Sequence, residues 1–214
     1  MAEDHGCFIT MEGGEGSGKS TQCRLLGDAL ARNGRKVVRT REPGGSPGAE
    51  EIRRLLVDGD VDRWDAMSET LLLLAARRNH VGHVIRPALQ RGDWVVCDRF
   101  SDSTMAYQGY GHGLDRAMLR DLSARILDEF APDATLILDI PVDVGLARAA
   151  SRDGGEDRYE RMDRAFHERL RQGFLEIARH EPDRCIVIDA SADMVSVQAA
   201  IAGAIAARLP GALP

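Results

Sequence analysis

Residues Gly13-Gly-Glu-Gly-Ser-Gly-Lys-Ser20 follow directly on the apolar run Cys7-Phe-Ile-Thr-Met11. A glycine, four residues, then Gly-Lys-Ser is the spacing of a phosphate-binding loop. Its glycines let backbone N–H groups turn inward around a triphosphate, its lysine reaches the outer phosphates and its hydroxyl can ligate Mg²⁺. Beyond the loop, Thr21, Cys23, Leu25, Leu26, Ala29 and Leu30 run to Gly34 as an amphipathic helix with a glycine stop. The helix N-terminus then aims its dipole and free N–H groups at negative charge. A strand before and a helix after separate this loop from an ordinary glycine-rich turn, and they commit the chain to a strand–loop–helix beginning.

The rest continues that alternation. Strands are expected at Cys7–Met11, Lys36–Thr40, Trp94–Cys97, Thr135–Asp139 and Cys185–Ile188, and helices over 19–33, 48–57, 66–90, 116–129, 142–150, 164–180 and 194–208. Asp115 is placed to cap one helix. Phe166, Leu170, Phe174 and Ile177 form a core-facing stripe on another, and Val197, Ile201, Ile205 and Leu209 on a third. Alternating strands and helices predict a parallel sheet covered on both faces, with ligands at the carboxyl ends of the strands. The polar, arginine-rich stretch Arg148–Arg158 reads as a mobile lid within a single domain over 1–214.

Charge narrows the partners. Twenty-eight basic residues against thirty-four acidic give a net charge of −6, which argues against nucleic acid as a partner. A phosphate site here must be a local cluster of basic residues. No apolar run is long enough to span a membrane, and Met1–His5 is acidic rather than leader-like, so the expectation is a cytoplasmic protein. Cys7, Cys23, Cys97 and Cys185 lack ligand spacing and read as small core residues. His80 and His83 share a helix face; without a carboxylate or cysteine partner at matching spacing, a solvated face is the simpler reading.

Several residues follow the strands toward one cleft. Two apolar runs end in aspartate, Val95-Val-Cys-Asp98 and Leu136-Ile-Leu-Asp139, and compete for the metal role. Asp98 is favoured because Arg99 follows it, joining a carboxylate to a guanidinium. Arg41, Arg77, Arg99, Arg148, Arg152 and Arg158 fall where loops or helix ends converge, and their planar forks suit phosphate oxygens. Together they suggest two phosphorylated substrates. No Asn-Lys-x-Asp base-reading loop of a GTPase occurs.

The ordered set Glu12-Gly-Gly-Glu-Gly-Ser-Gly-Lys-Ser-Thr21, Thr40-Arg-Glu-Pro-Gly-Gly45, Asp98-Arg-Phe100 and Ser103-Thr-Met-Ala-Tyr-Gln108, with the arginine-rich lid, resembles thymidylate kinases over nearly the whole chain. The resemblance implies a nucleoside monophosphate kinase-like P-loop α/β fold with five parallel strands. It implies ATP-dependent phosphorylation of dTMP to dTDP, a homodimer, and ATP with Mg²⁺ along Gly13, Gly14, Glu15, Gly16, Ser17, Gly18, Lys19, Ser20 and Thr21, joined by Arg148. Ser20 and Asp98 would serve the metal.

Substrate roles follow by the same resemblance. Glu15 would meet the 3′-hydroxyl of dTMP, Arg41 and Arg99 its 5′-phosphate, and Arg77 the thymine carbonyl. Ser103, Thr104 and Gln108 would lie beside the base, and Tyr107 near C2′. The residue after the P-loop acid is Gly16, not arginine, so Arg152 of the lid matches the catalytic arginine, acting with Lys19. A cis Glu42–Pro43 bond is expected. One departure stands out: Leu73 occupies the place of a phenylalanine that stacks on thymine, forgoing ~0.5–1.5 kcal/mol of aromatic contact. Rival readings are a kinase for another nucleotide or nucleoside, or a P-loop ATPase or switch without an acceptor.

Overall fold

The computed structural model describes residues 6–151 and 158–213. Five strands form a parallel sheet: β1 (Phe8–Glu12), β2 (Val37–Arg41), β3 (Trp94–Asp98), β4 (Ala134–Asp139) and β5 (Cys185–Asp189), in the spatial order β2-β3-β1-β4-β5. Each strand runs one residue beyond its expected end or beginning. The helices are α1 (Lys19–Arg32), α2 (Pro47–Val57), α3 (Ala66–His80), α4 (Arg86–Gln90), α5 (Ser101–Thr104), α6 (Arg116–Leu127), α7 (Val142–Ala150), α8 (Arg164–His180) and α9 (Met194–Arg208).

Side-chain alternation along the strands divides the core. Ile9 and Met11 of β1, Val96 of β3 and Leu136 and Leu138 of β4 pack with Leu26 and Leu30 of α1 and Ile201 and Ile205 of α9. The opposite face sends Phe8, Val95 and Cys97 toward Phe100 and Ile85. Ile137 meets Phe166, Leu170 and Phe174 of α8. Period-two strands thus serve two helical layers at once. A fully buried leucine such as Leu26 contributes roughly 1.5–3 kcal/mol relative to exposure. All four cysteines are free and buried. Asp115 caps α6 through the Ala117 N–H, as its position predicts.

Two helical segments depart from expectation. The region 66–90 is not one α-helix: α3 passes through a π-helical turn, Val81–Ile85, before α4. A further helix covers 101–111, where none is expected; α5 leads into a π-helix, Met105–Gly111. Wider π turns do not repeat every 3.6 residues, so the segment shows no apolar stripe of helical period.

Register places the site. Met11 pairs with Asp98, and Arg41 also pairs with Asp98, so the carboxyl ends of β1, β2 and β3 finish at one level. The phosphate loop leaves β1 there, between β3 and β4, which is where open parallel sheets bind ligands.

Candidate active site

A cleft of about 610 Å³ opens at these strand ends. On one side it is lined by Glu15, Gly16, Gly18, Lys19, Ser20 and Thr21. Gly18 caps α1 in the left-handed region, at φ 90°, and the first turn of α1 contains no acidic residue. Its N-terminal N–H groups therefore face the cleft without an internal counter-charge. Gly13, Gly14 and Ser17 do not line the cleft. Gly13 and Gly14 back onto a hollow of about 20 Å³ against β4 and α8, and the Ser17 hydroxyl donates to the Gly14 carbonyl at 2.9 Å.

Gly16 meets α7 backbone to backbone. A Cβ on Gly16 would lie 1.9 Å from the Gly145 carbonyl oxygen, and one on Gly145 would lie 2.6 Å from the Glu15 carbonyl oxygen. Only glycines allow that approach.

Lys19 Nζ donates to the Gly14 carbonyl at 2.7 Å. Burial and the nearby Arg99 guanidinium lower its pKa to about 8. The Ser20 hydroxyl donates to Asp98 Oδ2 at 2.5 Å, placing two hard oxygen donors together beside the phosphate loop. Among the described residues no cluster of three or more His, Cys, Asp or Glu could cage a metal. Two protein oxygens suit Mg²⁺, which keeps waters and takes substrate phosphates as its other ligands. The rival Asp139 is committed elsewhere, forked by Arg171 at 2.7 and 2.8 Å.

Arginines also line the cleft. Arg99 adopts φ 69°, immediately after β3. From there its guanidinium donates to Glu15 at 2.7 Å and to the Gly13 carbonyl at 3.1 Å. The Tyr107 hydroxyl also donates to Glu15, at 2.5 Å. Burial alone would raise the Glu15 pKa, but Arg99, Lys19 and Tyr107 together bring it down to about 2. Both contacts fall on Oε1. Arg41 lines the cleft with its guanidinium paired to Glu50 at 3.1 Å. Arg148 lines it too, steadied by the Ala190 and Ser191 carbonyls at 2.8 and 3.0 Å.

Arg77 is 2% exposed yet lines the cleft. It donates to Glu42 at 2.6 Å, to the Thr104 hydroxyl at 2.9 Å and to the Phe100 carbonyl at 2.9 Å. Leu73, one turn earlier on α3, lines the same cleft and is half-buried. Ser103, Tyr107 and Gln108 complete the wall from the helix that follows Arg99. The Glu42–Pro43 bond is cis, as expected.

Two sequence readings change. Arg158 is not a cleft residue: it is buried, bonded to Glu69 and to the carbonyls of Leu56, Asp60 and Val61. With four of its five N–H groups spent, it bolts the chain to α3, the end of α2 and the α2–α3 loop. His80 is not solvated: it is fully buried between Glu42 and Thr40, whereas His83 is exposed. Arg152 and most of the lid expected at 148–158 lie outside the described residues.

Among the buried charged or polar residues not assigned a role from sequence are Glu12, Glu42, Glu69 and His80. Glu12 accepts hydrogen bonds from the Phe100 N–H at 2.7 Å and the Ser103 hydroxyl at 2.5 Å, fixing the turn that carries Arg99. Burial and the Asp102 charge raise its pKa to about 8. A carboxylate at an inward-facing strand position, in phase with Phe8 and Thr10, was the available signal.

The thymidylate kinase family model matches residues 11–201. A thymidylate kinase of Caulobacter vibrioides is 56% identical over 204 residues, covering 95% of this chain and 98% of that protein. One from Magnetococcus marinus is 53% identical over 196 residues, covering 92% and 93%. The crystal structure of thymidylate kinase from Ehrlichia chaffeensis superposes with a TM-score of 0.76 at 36% identity, covering 94% of this chain and 99% of that one. With its phosphate loop, arginine-lined cleft and strand order in place, the chain belongs to the thymidylate kinase family.

Proposed function

We propose that the protein transfers the γ-phosphoryl group of ATP to the 5′-phosphate of dTMP, giving dTDP and ADP, a step toward dTTP. The observation that carries this reading is one cleft lined both by Lys19 and Ser20 of the phosphate loop and by Arg41, Arg77 and Arg99. A nucleotide-hydrolysing switch has no use for these further cations.

ATP lies along Glu15, Gly16 and the Gly18–Thr21 start of α1, and toward Arg148. The phosphate of dTMP rests on Arg41 and Arg99. Its base is covered by Leu73, read at its edge by Arg77, and flanked by Ser103, Thr104 and Gln108. Tyr107 packs near C2′, and Glu15 takes the 3′-hydroxyl. An oxygen of the dTMP phosphate attacks the γ-phosphorus in line; the bond to the β,γ-bridging oxygen breaks and its electron pair leaves with ADP. Lys19 and Arg152 stabilise the transferring charge. Mg²⁺, held by Ser20 and Asp98 with the ATP phosphates, would supply further neutralisation. Positioning and preorganised charge carry the rate, and no covalent intermediate is needed.

Coupled assay of ADP release tests the reading with dTMP, dUMP, dCMP, dGMP, AMP and thymidine as acceptors. Turnover is expected to be highest with dTMP. Faster turnover with AMP or thymidine, or hydrolysis indifferent to acceptor, would replace it with one of the rival readings.

The reading extends to a cytoplasmic, single-domain enzyme that works as a homodimer. No helix among the described residues is long and apolar enough to cross a membrane. Leu55 of α2 and Leu71 of α3 expose 39% and 51% of their surface on two helices packed together, a feature that pairing of two copies would cover. Light scattering across a dilution series reads the assembly directly.

A further inference from the structure

We infer that His80 is a positioning residue for dTMP recognition, acting on Arg77 through the carboxylate of Glu42. The inference rests on the reading that Arg77 meets the base. Arg77 and His80 lie one turn apart on α3, and a single carboxylate joins them: Glu42 Oε2 accepts from Arg77 Nε at 2.6 Å, and Oε1 pairs with His80 Nδ1 at 3.0 Å. A carboxylate only accepts, so Nδ1 carries the proton, and Nε2 pairs with the Thr40 hydroxyl at 2.7 Å. The ring and the carboxylate are out of water, with His80 0% and Glu42 5% exposed.

The chain Thr40–His80–Glu42–Arg77 thus runs from the end of β2 to the cleft. Arg77 has five N–H groups, and three are spent on Glu42, Thr104 and Phe100. Those three contacts fix the direction of the remaining donors, and the Glu42 contact sets the Nε edge. If His80 no longer holds Oε1, the carboxylate is free to turn about its last torsion, and Arg77 turns with it.

The loop around it is built for this ring. Gly45 has φ +85°, and a Cβ there would lie 2.4 Å from His80 Nε2 and 2.5 Å from Thr40 Oγ1. Fastening the loop to α3 does not depend on His80, because the Ser46 hydroxyl donates to Asn79 Oδ1 at 2.7 Å. What His80 alone contributes is the orientation of the carboxylate.

Two polar variants separate the contacts. Asparagine sets an N–H donor near the Nδ1 position; glutamine reaches the Nε2 position and loses the donor to Glu42. Steady-state kinetics of His80→Asn and His80→Gln would be measured with wild-type Arg77 and with Arg77→Ala. His80→Gln is expected to raise the KM for dTMP about tenfold, with kcat and the KM for ATP within about twofold of the parent. His80→Asn is expected to recover most of that loss. In the Arg77→Ala background, His80→Gln adds nothing further to the dTMP KM. Equal loss from His80→Gln in both backgrounds, or equal impairment by both His80 variants, would overturn the inference. An Arg77→Ala enzyme with an unchanged dTMP KM would instead remove the base-reading role beneath it. If the His80 variants do not fold, Glu42→Gln takes their place, with the same non-additivity against Arg77→Ala expected and additivity overturning it.

Discussion

The Ser20 hydroxyl donates to Oδ2 of Asp98 at 2.5 Å across 78 positions of sequence. The first residue of that pair belongs to the phosphate loop, and the second ends the strand beside β1. Parallel pairing of Met11 with Asp98 brings them to one level. Their contact sets Asp98 beside the phosphate loop, whereas Asp139, the other aspartate that ends an apolar run, is held by Arg171.

Asp98→Asn keeps the shape of this pair and removes its charge. If Asp98 serves Mg²⁺, directly or through a bound water, the Mg²⁺ concentration for half-maximal activity should rise by roughly 10–100-fold. Asp139→Asn, which loosens Arg171 instead, should leave that midpoint where it was. Titrating Mg²⁺ at saturating ATP compares the two.

Lys19 carries a pKa lowered to about 8 by burial and Arg99. The ammonium is the charged form, so it is present below that value and lost as pH rises through it. The kcat/KM for ATP, which reports the free enzyme, should therefore fall above about pH 8, approaching about tenfold per unit. Glu15, at about 2, stays ionised throughout this range and adds no limb. In kcat the limb should move to higher pH, because bound phosphates favour the ammonium. A kcat/KM profile flat to pH 10 would refute the assignment.

Leu73 faces the cleft half-buried, one turn from Arg77. Leu73→Phe should restore a ring face against the base and tighten dTMP by up to ~1 kcal/mol, roughly fivefold. The opposite sign, a loss of ~1–3 kcal/mol, would mean that the wall has no room. Calorimetric titration with dTMP gives the sign.

Arg158 and Arg152 should part company. Arg158→Ala strands the buried Glu69 carboxylate and is expected to cost about 3–5 kcal/mol of stability. In a chain of this size each kcal/mol lowers Tm by about 2–4 °C. Arg152→Ala should instead leave Tm in place and cut kcat by ~10³ or more, with the dTMP KM little changed. Thermal melts beside initial rates distinguish an anchor from a catalytic charge.

What sequence made legible was what has a local period or a fixed spacing. β1 through β5 announced themselves as short apolar runs, α8 and α9 as stripes such as Phe166–Leu170–Phe174, and the phosphate loop as a motif. Glu15, Lys19, Arg99 and Leu73 therefore came to the cleft as expected. Residues whose meaning lies in a distant partner stayed hidden. His80 looked like a surface histidine because Glu42 and Thr40 lie 38 and 40 positions away. Arg158 looked like a lid cation because Glu69 is 89 positions distant. The π-helix Met105–Gly111 was missed for another reason: its wider turns offer no stripe of helical period.

The meeting of Gly16 with Gly145 gives the enzyme a vulnerable spot with no outward sign of one. Gly145 sits in a helix that follows β4, away from any recognisable motif. Yet a single added methyl there would press on the Glu15 carbonyl and shift the loop that cradles ATP. In a mutational scan Gly145 should score among the most intolerant positions, beside residues that touch nucleotide. A library diversified only around the visible cleft would overlook it, and one that varied α7 freely would lose most of its active members at that one codon.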